Sequence, residues 1–148
     1  MNEFNTLEQV SALFANAGAQ INNNNFFVAF KDMTKNSGMV GGMEYPYDAV
    51  IINFGESGLN FLYLKQDGIV FKQDLSKMHV DKNSYNFIST DEIEEIIIKK
   101  FALLNNAKKK ITIKLKNKKT HYLYSSLNEP LLPYHNSSFD NFIKKYSN

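Results

Sequence analysis

The sequence predicts a mainly β (α+β) domain. Its expected form is an antiparallel barrel, or two packed sheets, of about six or seven strands with an N-terminal helix and a C-terminal amphipathic helix. Three observations carry this expectation. Lys110-Ile111-Thr112-Ile113-Lys114-Leu115-Lys116 alternates polar and apolar residues, the pattern of a strand with one buried face. Asp67-Gly68 and Asn117-Lys118-Lys119 punctuate β-rich runs as hairpin turns do. Phe139, Phe142, Ile143 and Tyr146 recur at i, i+3, i+4 and i+7, with Lys144 and Lys145 at the negative end of the helix they define.

The elements follow in order. Residues 6–17 read as a helix, with Leu7, Val10, Leu13, Phe14 and Ala17 on one stripe. A capping box is offered by Asn5 with Glu8 or by Thr6 with Gln9, and Gly18 is a natural stop. Its polar face has no lysine, so it is expected to pack on the protein's own sheet rather than on a membrane. Phe26–Phe30 is a short strand. Residues 31–48 lack a sustained period and form a long loop holding Met33, Met39 and Met43. Ala49–Phe54 and Leu59–Lys65 are strands joined at Gly55–Gly58, with Phe61 and Tyr63 on one face and Leu62 and Leu64 on the other. A return over Gly68–Lys72, a weak Met78–Val80 strand and a Tyr85–Ser89 strand come next. At 91–104 the acids suggest a helix start, but the β-branched Ile96-Ile97-Ile98 run favours a short turn at Asp91–Ile93 and a strand to about Leu103. Ser137 or Ser138 is the expected cap of a helix from His135 to Tyr146.

Composition bounds the classes of function. A chain of 148 residues with 43% hydrophobic content reads as one domain, residues 1–148, with enough apolar material for a core. It contains no cysteine, which removes disulfides and thiolate chemistry. Neither a signal peptide nor a membrane span is apparent, so a cytoplasmic location is expected. All seventeen basic residues are lysine. Residues 1–90 carry a net charge of −3 and residues 91–148 one of +5. The absence of arginine argues against specific nucleic-acid readout.

No constellation points to catalysis, and no metal or cofactor is expected. His79, His121 and His135 lack ligand spacing. Asp91, Glu92, Glu94 and Glu95 lack the pattern of a cation loop and are expected to cap a turn or balance lysines. GMVGGM lacks the ending of a phosphate loop. Two candidate binding surfaces remain. One is the loop with Met33, Met39 and Met43. The other is the hairpin Lys108–Lys119, where Lys114 and Lys116 share a face with Tyr122 and Tyr124 if the turn has three residues. In that register Lys116 faces Thr120 and Lys114 faces Tyr122; a two-residue turn sends the tyrosines inward and His121 outward.

From Leu59 onward the order of pieces resembles the bacterial pleckstrin-homology-like domains. The hairpin FLYLKQDGIVFK leads to ISTDEIEEIIIKKFALLN, then to the charged hairpin KKITIKLKNKKTHYLY and the closing helix SSFDNFIKKY. The resemblance covers roughly residues 49–146. It implies a non-catalytic interaction module, most simply one that binds or scaffolds another protein. Eukaryotic phosphoinositide-binding members carry a basic motif with arginine in the first hairpin, and the early strands here have none. The alternative is binding of an anionic membrane or nucleic acid through the Lys108–Lys119 hairpin.

Overall fold

A computed structural model describes residues 3–36, 47–68 and 72–147. The elements are α1 (Leu7–Asn16), β1 (Phe26–Lys31), the one-turn α2 (Met33–Asn36), β2 (Ala49–Gly55), β3 (Gly58–Gln66), β4 (Met78–Val80), β5 (Asn86–Ser89), β6 (Ile93–Ala102), β7 (Asn105–Leu115), β8 (Thr120–Ser126) and α3 (His135–Tyr146). The protein is mainly β. Among the described residues eight strands form one antiparallel sheet in the order β4-β3-β2-β1-β8-β7-β6, with β5 also paired to β3. The strands number eight where about six or seven were expected, and they join in one sheet rather than two packed ones. Among the described residues β4 and β6 stand at the two ends of this sheet and do not pair, so it is not closed.

The sheet nevertheless coils strongly. β1 and β8 share only the pairs Phe30↔Tyr124 and Lys31↔Leu123 and then diverge. Phe61 of β3 lies edge-on to His121 of β8 at 5.1 Å between ring centroids, although β2 and β1 separate those strands in the sheet. The inner faces of the two halves therefore meet. Phe27, Ile52, Phe61, Tyr63, Ile111, Ile113 and Leu123 fill the inner core. α3 closes it, stacking Phe139 and Phe142 on Phe27 at 5.1 and 4.7 Å.

A second core lies on the outer face of β1–β3. Val28, Ile51, Leu62 and Leu64 meet Val10 and Phe14 of α1 there. These strands are thus covered on both sides, which is why β2 is apolar from Ala49 to Ile52 and buried as far as Phe54. α1 begins at Thr6, whose side chain and Gln9 form the capping box, one of the two alternatives in the sequence. α3 begins at His135 after Tyr134 with no side-chain cap; neither Ser137 nor Ser138 serves. At the β2–β3 turn, Gly58 has φ +149° and a Cβ there would stand 2.2 Å from the Ile88 carbonyl, so no other residue fits.

Two expected hairpins differ in register. The outer partner of Leu64–Gln66 is Met78–Val80, not an immediate return after Asp67-Gly68. The expected strand over Gly68–Lys72 includes residues 69–71, which lie outside the described residues. In the β7–β8 hairpin the turn is Lys116-Asn117-Lys118, with Lys118 left-handed at φ +77°, so Lys114 faces Thr120 and Tyr124 faces Lys110. The shift is two residues from the three-residue reading. Because strands have period two, the faces keep their sense: Tyr122 and Tyr124 point outward with the lysines and His121 points in.

β6 starts after a 3-10 turn at Thr90–Glu92. A register break between Ile93 and Glu95 leaves Glu94 as the extra residue of a bulge. The bulge lets Ile93, Ile96 and Ile98 all pack inward, a spacing no regular strand provides.

Ile113 is fully buried and Lys114 half-exposed. Ile113→Ala is expected to cost about 2–4 kcal/mol, while Lys114→Ala stays within about 0.5 kcal/mol of neutral. Equal shifts of the two variants in urea unfolding would contradict this sheet.

Candidate functional site

β7 and β8 bury one face only, and among the described residues α1 does not extend over the other, so the outer face of β6–β8 is left half-exposed. Residues 96–128 contain nine lysines and no Asp or Glu. The strand alternation that sends Ile111, Ile113 and Leu123 into the core directs Lys108, Lys110, Thr112, Lys114, Tyr122 and Tyr124 outward.

Two adjoining features result. The first is a cleft of about 300 Å³ lined by Asp32, Ile97, Lys99, Lys110, Lys114 and Tyr122. Lys114 lies 3.8 Å from Glu95, whereas Lys99 and Lys110 have no acidic partner among the described residues. The second is an aromatic stripe. Tyr124 stacks on Phe30 at 5.4 Å and meets Phe101 at 5.2 Å. Lys108 sits over both Phe101 and Tyr124, at 4.2 and 4.6 Å, and Lys110 reaches Phe101 at 5.6 Å. Burial, and then Asp32, push the Tyr124 phenol upward, so it stays neutral and keeps its proton.

The hairpin projects beyond this face. Ala102 pairs with Asn105, which leaves Leu103-Leu104 as a two-residue tip, 87% and 96% exposed. Two-residue tips favour Asn-Gly because the preferred turns need positive φ. Neither leucine has positive φ, and neither touches a core. Neither turn chemistry nor packing accounts for leucine at these two positions.

Among the residues expected at a site, Lys114 and Tyr122 come together in the cleft, and Tyr124 stands beside them in the stripe. Lys116 is exposed in the turn, away from both. Met33 is exposed at the start of α2, one residue from Asp32 of the cleft. Met39 and Met43 lie outside the described residues. Sequence reasoning missed Lys99, Phe101, Leu103 and Leu104. The available signal was the acid-free span from residue 96 to residue 128 around them.

The remaining titratable groups serve the fold. Glu92 completes a capping box with Ser89, and Glu95 balances Lys114. His79 is exposed beside Asp67. Among the described residues no three His, Asp or Glu converge in a manner that holds a metal. His135 is buried: its Nδ1 accepts from the Val28 N–H at 3.0 Å, which places the ring proton on Nε2, 2.7 Å from the Ser126 carbonyl. The Ser125 hydroxyl donates to the Val28 carbonyl at 2.6 Å. Neither ring nitrogen is left as a base for that hydroxyl, so this Ser–His pair is structural. His121 is buried with Nδ1 lacking a partner among the described residues. No family model, curated protein or solved structure matches the chain.

Burial pushes both imidazoles down to about 4, with Lys119 adding to the effect at His121 and the Ser126 carbonyl opposing it at His135. A lowered folded pKa means the unfolded chain binds the proton more readily. The stability these groups hold is complete above pH 6.5 and is lost as pH falls toward 4, on the order of 3 kcal/mol for each. His121→Leu is expected to remove its share of this pH dependence and change stability at pH 7 by no more than about 1.5 kcal/mol. His135→Leu also strips the partner of Val28 N–H and is the more damaging at pH 7. Urea midpoints at pH 7 and pH 4.5 check both; a midpoint independent of pH refutes the assignment.

Proposed function

We propose that the chain is a non-catalytic binding module that rests on an anionic lipid surface. The open outer face of β6–β8 is the contact surface, and Leu103-Leu104 is the part that enters the interface. The observation that carries this reading is the tip: two leucines almost wholly in water, backed by Lys99, Lys108 and Lys110 on the outer face and by Lys100 and Lys109 on the opposite one, with no acid among them. A strand rises roughly 3.3 Å per residue, so Lys100 lies about 10 Å behind Leu103. That spacing sets ammonium groups at the phosphate level when the leucines reach the acyl boundary. Each lysine near an anionic leaflet contributes about 1 kcal/mol. The basic–aromatic stripe alone also suits single-stranded nucleic acid, but exposed aliphatic tips have no part in base stacking. No described helix is long and apolar enough to cross a membrane.

The likeness to pleckstrin-homology-like domains belongs to the same proposal. It is supported by the coiled antiparallel sheet with a C-terminal helix on its inner face, and a barrel in the full sense is part of that proposal. The contact mode differs from the arginine-bearing first hairpin of the phosphoinositide-binding members, because here the lysines gather on β6–β8. Protein binding through a sheet edge is the second reading, favoured by the unpaired outer side of β6.

Co-sedimentation with phosphatidylcholine vesicles, with and without phosphatidylserine, tests the first reading. Binding is expected only with the anionic lipid and is expected to weaken as salt rises. Leu103→Ser with Leu104→Ser is expected to lower affinity roughly tenfold or more while leaving the unfolding midpoint unchanged. Binding to a single-stranded oligonucleotide that survives the double substitution, with no vesicle binding, reassigns the face to nucleic acid.

A further inference from the structure

β6 ends the sheet. β7 pairs with one side of it, and among the described residues no strand pairs with the other. Sheet edges left open in this way are usually blunted by charge, by a bulge or by brevity. β6 has a bulge at one end and charges towards both, yet Ile96-Ile97-Ile98 lies unguarded at its centre.

The order of its charges is informative. Glu94-Glu95-Ile96-Ile97-Ile98-Lys99-Lys100 reads as two acids, three isoleucines and two bases. An antiparallel copy of this segment, turned about Ile97, sets Glu95 opposite Lys99 on both sides of the centre, with Glu94 of the bulge brought toward Lys100 at each end of the regular segment. Ile96 falls opposite Ile98 and Ile97 opposite itself. The β7 register sends Glu95, Ile97 and Lys99 to the outer face, where cross-strand neighbours stand about 5 Å apart. A slip by one residue in either direction keeps one Glu–Lys pair on each side, sets the remaining charges against apolar residues and exchanges the faces of the isoleucines.

We propose that the free edge of β6 pairs with β6 of a second copy of this chain, antiparallel and centred on Ile97. The partner is fixed by self-complementarity: a contact in which residue i meets j and j meets i closes on itself as a two-fold dimer. The register breaks at Ile93/Glu95 and Lys100/Ala102 bound the regular segment, so pairing stops there and does not run along the hairpin. The two-fold axis is perpendicular to the joined sheet. Both open outer faces therefore look to the same side, and their lysines form one continuous basic surface. Leu103 and Leu104 lie outside the paired segment and stay free. The inference is independent of the lipid reading, since it uses the strand edge and its own charges.

Sedimentation velocity over a concentration series tests it. The wild-type chain is expected to show a dimer fraction that rises with concentration. E94K/E95K and K99E/K100E each place like charges opposite one another, and each is expected to weaken self-association roughly tenfold or more. The fourfold variant E94K/E95K/K99E/K100E inverts the order of charges but keeps them complementary, so it is expected to dimerise again. An equimolar mixture of the two double variants is expected to form a heterodimer, which also shows that each has folded. A chain that stays monomeric throughout, or a dimer indifferent to these exchanges, overturns the proposal.

Discussion

β1 and β8 should continue as neighbours for the length of β1, yet their ladder lasts only two residue pairs before the strands part. At the point of parting, the Val28 N–H donates to His135 Nδ1 and the Val28 carbonyl accepts from the Ser125 hydroxyl. His135 then reaches across to the Ser126 carbonyl. Side chains thus take the place of a missing strand pair. A buried backbone group left without a partner costs about 1–3 kcal/mol, so the gap would close or flood with water if these groups were absent. Because His135 is also the first residue of α3, the same anchor sets that helix on the inner face, with Phe139 and Phe142 under Phe27.

The divergence held open by His135 has a consequence for charge. β1–β3 are buried on both faces, by α1 outside and by the inner core within, and their sides admit little that is polar. β6–β8 swing away from α1 and keep one face in water. The lysines can gather only there, and the aromatic residues of that face, Phe101, Tyr122 and Tyr124, are held by strands whose other side is locked in the core.

What could be read from the sequence follows the same division. β7 is legible because exactly one of its faces is wet, and Ile111, Ile113 and Leu115 alternate with Thr112 and Lys114 as expected. β6 is half legible: the Glu94 bulge puts Ile93, Ile96 and Ile98 on one side, a spacing that imitates neither helix nor strand. The turn after β7 slipped by two residues because Lys118, not an Asn or Gly, takes the left-handed position. The partner of Leu64–Gln66 was not legible because its pairing with β4 spans a non-local connection, for which local turn residues carry no information. The roles of Ser125 and His135 were invisible for a related reason: each is defined by a backbone group roughly a hundred residues away. Of the site, the lysine–tyrosine face was visible in the alternation, while Lys99, Phe101 and the leucine tip were not, since they belong to a strand and turn without regular pattern.

Three parts of the β6–β7 hairpin remain unused by the fold, and they draw on different atoms. The tip presents the side chains of Leu103 and Leu104, the outer face presents ammonium groups and rings, and the edge presents backbone N–H and C=O groups. Occupying one does not consume another. Lys99 faces Lys110 and Lys100 faces Lys109 across the β6–β7 ladder, so like charges stand opposite one another and repel in the folded monomer. Their attraction to a surface that carries many opposite charges adds up over the whole face. Repulsion that the folded monomer carries is relieved when a partner of opposite sign arrives, and joining two faces side by side through the edge strand enlarges that effect without a new contact on the face itself.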